Sequence, residues 1–241
     1  MSRILVINPN STEAVTRGID EAMAPLRMQD GPAIDCVTLA DGPPGIQTQQ
    51  HVDGVIAPLL RLVREKEGAY DAFVIACYSD PGLQSLREET PKPVLGVSEC
   101  GILTALTLGQ RFGVIAILRQ SIARHLRYVG AMGVADRLAG ELPVGLAVTE
   151  LSDEKKTYAR MLDVGRTLRD THGADVLVMG CAGMARYREP LQKALGIPVV
   201  EPTQAAAGMA IARVRLNWAC LPVVPPSEHE PPPTRRVETI S

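Results

Sequence analysis

One pattern occurs twice in this chain. Asp71-Ala-Phe-Val-Ile-Ala-Cys77 and Asp175-Val-Leu-Val-Met-Gly-Cys181 each open with an aspartate, run through apolar residues and reach a cysteine six positions on. An apolar run bounded by turn formers is the signature of a fully buried strand in a parallel sheet. The Pro81-Gly82 pair and Gly183 place the strand ends at the cysteines. The echo continues downstream: Pro93-Val94 follows Cys77 by sixteen residues and Pro198-Val199 follows Cys181 by seventeen. Ser98-Glu99 then stands to Pro93 as Thr203-Gln204 stands to Pro198. Upstream, Arg3-Ile-Leu-Val-Ile7 answers Arg111-Phe-Gly-Val-Ile-Ala-Ile117. An internal duplication accounts for all of these.

The duplication dictates an architecture. Strands are expected at 3–7, 34–39, 71–76, 94–97, 113–118, 145–148, 175–180 and 199–200. Helices are expected from near Glu13 (capped by Ser11 or Thr12), over 48–67, 82–89, 100–108, 121–132, 152–172, 186–195 and 204–219. Alternation of the two kinds implies right-handed βαβ units and an α/β fold. The expected arrangement is two pseudo-symmetric lobes, each a short parallel sheet flanked by helices, with the active site in the cleft between them. Residues 1–104 plus 205–219 would form the first lobe and 105–204 the second, the first and last helices being candidates to exchange. The proline-rich segment 220–241 has no apolar period and reads as disordered or surface-draped.

Charge excludes some partners. Twenty-five basic side chains against 27 acidic ones give no electrostatic reason to expect nucleic acid or an anionic membrane. Aromatics are 3% of residues, too few for base-stacking platforms. The apolar run in the first strand is too short for a signal-peptide core or a membrane span, so a cytoplasmic location is expected. There the five cysteines should be reduced. Their spacing matches no zinc pattern, so no metal site is expected. Neither GxGxxG nor GxxxxGK[ST] occurs, so no nucleotide cofactor is expected either.

Ligands of open α/β sheets bind beyond the carboxyl ends of the strands, where Cys77 and Cys181 fall. A thiol ahead of a helix N-terminus should have a lowered pKa. If the lobes face each other, the sulfurs share one cleft. One thiolate could then take a proton from a carbon while the other thiol returns one to the opposite face, inverting the centre without a cofactor. A cysteine at a strand end can also be a small buried hydrophobe. Equivalence within the repeat favours function for this pair; Cys36, Cys100 and Cys220 lack that context.

Four stretches carry a resemblance: Val6-Ile-Asn8-Pro9-Asn10-Ser11, Gly42-Pro-Pro-Gly-Ile46, Ala76-Cys77-Tyr-Ser-Asp80-Pro81-Gly82-Leu83 and Gly180-Cys181-Ala182-Gly183-Met184. Together they resemble the hydantoin/allantoin racemase branch of the aspartate/glutamate racemase superfamily, over residues 1 to about 219. The resemblance implies two pseudo-symmetric lobes, cofactor-independent racemisation by two cysteines, a small-molecule substrate and a homo-oligomer. By position it makes Cys77 and Cys181 the acid/base pair. Asn8, Asn10 and Ser11 would line the cleft, and Tyr78, Ser79, Ala182 and Gly183 would contact substrate or donate to it. Asn8 and Asn10 can equally serve to form the turn around Pro9, and Asp80 reads as a cap of the following helix. The chain departs from the family pattern at Tyr78-Ser79, where an aromatic-glycine pair is usual, at Gln47-Thr-Gln-Gln, and at Ala116-Ile117. These residues alter the polarity of the pocket and not the thiols. The expected activity is racemisation of a 5-substituted hydantoin, possibly allantoin. An amino-acid racemase, a maleate-isomerase-like enzyme and a non-catalytic small-molecule sensor are the alternatives; a decarboxylase fits less well because such relatives keep one of the two cysteines.

Overall fold

A computed structural model describes residues 2–146 and 153–218. The segment from Cys220 onward, residues 147–148 of the sixth expected strand, and Ser152 lie outside the described residues. The chain alternates strands and helices throughout. Its first half runs β1 (Arg3–Asn8), α1 (Glu13–Ala22), β2 (Ala33–Thr38), α2 (Gln49–Gly54), α3 (Ile56–Lys66), β3 (Ala72–Ile75), α4 (Leu83–Glu89), β4 (Val94–Gly96) and α5 (Val97–Leu108). The second half repeats it as β5 (Phe112–Ala116), α6 (Arg119–Ala131), β6 (Leu138–Pro143), α7 (Glu154–Asp170), β7 (Val176–Met179), α8 (Arg188–Leu195), β8 (Val199–Val200) and α9 (Pro202–Arg215). A 3-10 turn over Ala182–Tyr187 precedes α8.

Two four-stranded sheets result, ordered β2-β1-β3-β4 and β6-β5-β7-β8, with every pair parallel. The fold is therefore α/β with two pseudo-symmetric lobes. The repeated arginine and aspartate explain themselves in this frame. Asp71 accepts the Arg3 amide at 2.8 Å, and Asp175 accepts the amides of Gln110 and Arg111 at 2.9 Å each. Each pair staples the bottom of the cysteine strand to the first strand of its lobe and fixes the register that delivers Cys77 or Cys181 to the top edge.

The helices that cross between lobes are α5 and α9, the last of each half. Helix α9 lays Ala206, Ala207, Ala210 and Ile211 against Ile4, Val6 and Val74 of the first sheet. Helix α5 turns Ile102 and Ala105 toward Phe112, Val114, Val176 and Val178 of the second, and the two helices pack on each other. Small residues on α9 allow that close approach. The first helix, α1, stays beside β2 and meets the turn after Cys181.

Several expected boundaries shift. The helix expected over 48–67 breaks at Val55 into α2 and α3, which puts Pro58 in the first turn of α3, where its missing N–H leaves no bond unmade. Thr12 sits at the start of α1 but donates to the Pro44 carbonyl (2.7 Å) and does not cap the helix through its side chain. The sixth strand is Leu138–Pro143, ahead of the span expected to open at Gly145: Val144 and Gly145 follow it, their amides bonding the carbonyls of Ala116 and Ile117. Nothing β-branched marks Leu138-Ala-Gly-Glu-Leu-Pro as a strand. Its place comes from pairing at the sheet edge, where a terminal proline is tolerated.

Candidate active site

Seventeen residues from both lobes line one cavity above the strand ends, with about 570 Å³ of atom-free space including its open mouth. Cys77 and Cys181 are both on its wall. So are Asn10, Tyr78, Ser79, Ala182 and Gly183. Asn8 and Ser11 are not on it. The Asn8 amide is buried and spends its donors within the turn, on Asn10 Oδ1 (3.1 Å), the Thr12 carbonyl (3.3 Å) and Thr16 Oγ1 (3.0 Å). Its oxygen accepts the Asn10 amide at 3.2 Å. Asn8 thus shapes the turn that holds Asn10 at the cavity, and Ser11 donates its amide to the Pro43 carbonyl (3.0 Å) outside it.

The thiols occupy equivalent positions but different surroundings. Cys181 accepts the Gly183 amide at 3.3 Å as the 3-10 turn begins. Burial nevertheless pushes its pKa up to about 12, against that amide, and the charges of Cys77 and Glu201 add to the rise. Burial raises Cys77 to about 11; the Ser79 amide and hydroxyl and the Arg124 guanidinium oppose it, and Asp80 adds to it. The lowered thiol pKa expected from a helix N-terminus is therefore not what the site produces: desolvation outweighs the local donors at both sulfurs. The relative order matches the contacts, with the nearby cation leaving Cys77 the more acidic.

Each thiol is backed by a buried carboxylate. Asp80, three residues past Cys77, takes the Ser98 and Glu99 amides at 2.9 Å each and so caps α5. It skips the helix that immediately follows it, whose start carries no side-chain cap. Glu201 takes the Thr203 and Gln204 amides at 3.1 and 2.6 Å at the start of α9. Burial raises both carboxyls to about 7 against the pull of those amides.

Helix α6 supplies a group of residues that the sequence reading did not single out. Ser121, Arg124 and His125 stand at i, i+3 and i+4, on one stripe, and line the cavity. Arg124 Nε donates to Ser79 Oγ at 3.0 Å. The His125 ring meets Tyr78 edge-on at 5.1 Å, and its Nδ1 lies 2.5 Å from Glu141 Oε1. One turn on, the Tyr128 hydroxyl reaches Asp80. Three consecutive residues of the loop after Cys77 are thus held by three residues of a helix from the other lobe. The i, i+3, i+4, i+7 spacing of Ser121, Arg124, His125 and Tyr128 is visible in the sequence, but a polar stripe on an isolated helix reads as a solvated face.

The chain is similar to known proteins over most of its length. Residues 4–210 match the family described as Asp/Glu/Hydantoin racemase. A hydantoin racemase of Paenarthrobacter aurescens is 33% identical over 220 residues, 90% of this chain and 92% of its own. An allantoin racemase from Klebsiella pneumoniae superposes with a TM-score of 0.83 at 27% identity, covering 92% of this chain and 91% of its own. An allantoin racemase from Pseudomonas fluorescens gives 0.85 at 26%, covering 91% and 93%.

Proposed function

The chain belongs to the Asp/Glu/hydantoin racemase family, and from that premise we propose that it racemises 5-substituted hydantoins by proton transfer between Cys77 and Cys181. The observation that carries this reading is the placement of both thiols on one cavity wall from equivalent positions of the two lobes. One sulfur, as thiolate, removes the C5 proton. The electron pair left on carbon delocalises onto the neighbouring ring carbonyl, and the other thiol gives its proton to the opposite face. The sulfurs end with their protonation states exchanged, ready for the reverse direction.

The raised thiol pKa values serve this chemistry. A carbon acid beside one carbonyl is weak, so a thiolate with a high conjugate pKa is the more competent base. The cost is population: with a pKa near 11, roughly one Cys77 in 10⁴ is ionised at pH 7 in the free protein. Arg124 and Ser79 limit that cost at Cys77, which makes it the more readily ionised thiol of the pair.

The test is polarimetry of single enantiomers of 5-alkyl hydantoins and of allantoin in deuterated water. Loss of rotation with one deuterium entering at C5 is expected. Exchange of aspartate, or turnover of maleate, with no hydantoin affected would move the activity to another branch; binding without any exchange would leave a sensor.

A further inference from the structure

The cavity has an uneven lining. On the side of the first lobe, Val15 and Ile46 face it, joined by Ile117 and Leu118 from the second. On the α6 side stand Ser121, Arg124 and His125. Among these polar groups Arg124 is singular. Its Nε is committed to Ser79, while its Nη2 is buried and has no hydrogen-bond partner. No carboxylate among the described residues forms an ion pair with it. Glu141 gives one carboxylate oxygen to His125 while its other oxygen has no hydrogen-bond partner, and both Glu141 and Asp53 act on the guanidinium through their charge without a direct bond. Burial lowers its pKa, with Arg127 adding to the fall and the charges of Cys77, Glu141 and Asp53 opposing it. A buried guanidinium donor left open is expensive, and a forked anion is the group that best fits it. Ser79 holds the plane of the fork from a loop that is itself fixed by His125 and Tyr128.

We propose that Arg124 receives a carboxylate on the substrate, so that the enzyme favours hydantoins whose 5-substituent ends in one. The proposal rests on the hydantoin reading above and names its substrate class. The stereocentre sits between the sulfurs, the acidic arm extends toward α6, and the apolar wall of Val15, Ile46 and Ile117 covers the opposite ring edge.

Three substrates test it by deuterium entry at C5: 5-carboxymethylhydantoin, its neutral isostere 5-carbamoylmethylhydantoin, and 5-isobutylhydantoin. Arg124 also assists the Cys77 thiolate, so replacing it slows every substrate; the ratio of kcat/KM between acid and amide is the informative number. The wild-type protein should favour the acid about 10- to 100-fold, the worth of one charge-assisted hydrogen bond away from water. Arg124→Met should bring the ratio near one and Arg124→Lys should restore part of it. Ser79→Ala, which frees the fork but keeps its charge, should give an intermediate ratio. A wild-type ratio near one, or a ratio unmoved by Arg124→Met, overturns the proposal. Calorimetric titration with succinate and succinamide reads the same contact without turnover. Succinate binding that weakens at least tenfold in Arg124→Met supports the anion site even if no hydantoin exchanges, in which case the hydantoin reading alone falls. Equal succinate affinity in both proteins sinks the anion site.

Discussion

Both lobes bury a carboxylate against the N-terminal amides of their last helix, yet they draw it from different places in the repeat. In the second lobe it is Glu201, directly at the start of α9, and Met184 follows the cysteine by three residues. In the first, the corresponding residues are Gly96 and Asp80, and the carboxylate comes from the cysteine loop. A β-carbon on Gly96 would lie 2.3 Å from the Asp80 carboxyl carbon, so the two solutions exclude each other within one lobe. What persisted through divergence of the halves is a position in space, and the residue that fills it changed. The first arrangement also ties the Cys77 loop to the helix start, at the cost of a positive φ of 42° at Asp80. The second leaves the Cys181 turn to be held by its own amide and by α1.

The comparison can be broken in four ways. The largest effect should come from the sulfurs. Cys77→Ser or Cys181→Ser is expected to cut racemisation about 10³-fold, because a hydroxyl is a far weaker acid and the base of one direction is lost. Full activity of either variant on enantiopure hydantoin would end the two-base scheme.

Next comes the mutual exclusion. Gly96→Glu alone should cost at least about 3 kcal/mol, since a side chain is forced into a filled, buried site. In an Asp80→Ala background the same change should be milder by about 1–2 kcal/mol, because the new carboxylate can take over the vacated amides. Urea unfolding of the four proteins gives the coupling, and additive costs would refute the equivalence.

A smaller effect should appear with pH. Both buried carboxyls hold their proton up to about 7, above the ordinary carboxylate range, so each is protonated in the folded chain while already ionised in the unfolded one. Their contribution to stability is full below about pH 4 and drains away as pH rises through 7. Carboxyls paired with arginine, such as the half-buried Glu89, act in the opposite sense, so the difference between proteins is the useful quantity. The melting-temperature drop between pH 5 and pH 8 should shrink in Asp80→Asn and in Glu201→Gln; an unchanged drop in both would discount the shifts.

The smallest contrast is between the thiols. Iodoacetamide should label Cys77 several-fold faster than Cys181, since a pKa near 11 against one near 12 leaves about ten times more thiolate, partly offset by lower intrinsic nucleophilicity. Arg124→Met should narrow the gap. Faster labelling of Cys181 would reverse the order of the two thiols.

These particulars show what sequence can carry. The two Asp-to-Cys strands were legible because buried parallel strands are written as unbroken apolar runs, and Cys77 and Cys181 because the repeat named them twice. Strand β6 was not, since Gly140 and Glu141 make sense only against their neighbours: a β-carbon at Gly140 would come within 2.9 Å of the His172 ring, and Glu141 is buried through its pairing with His125. Arg124 was illegible for a related reason. On a bare helix its charge points to water; only the opposite lobe, bringing Ser79 to its Nε, turns that stripe inward.

The crossing of α5 and α9 carries a consequence for how such a molecule can be divided. A chain cut between Leu108 and Phe112 yields two pieces, each carrying the helix that covers one face of the other's sheet. Neither piece could shield its apolar face in isolation, so the pair should refold only when mixed. A lone half-length ancestor would have met the same need by trading that helix with its twin, as a swapped dimer does.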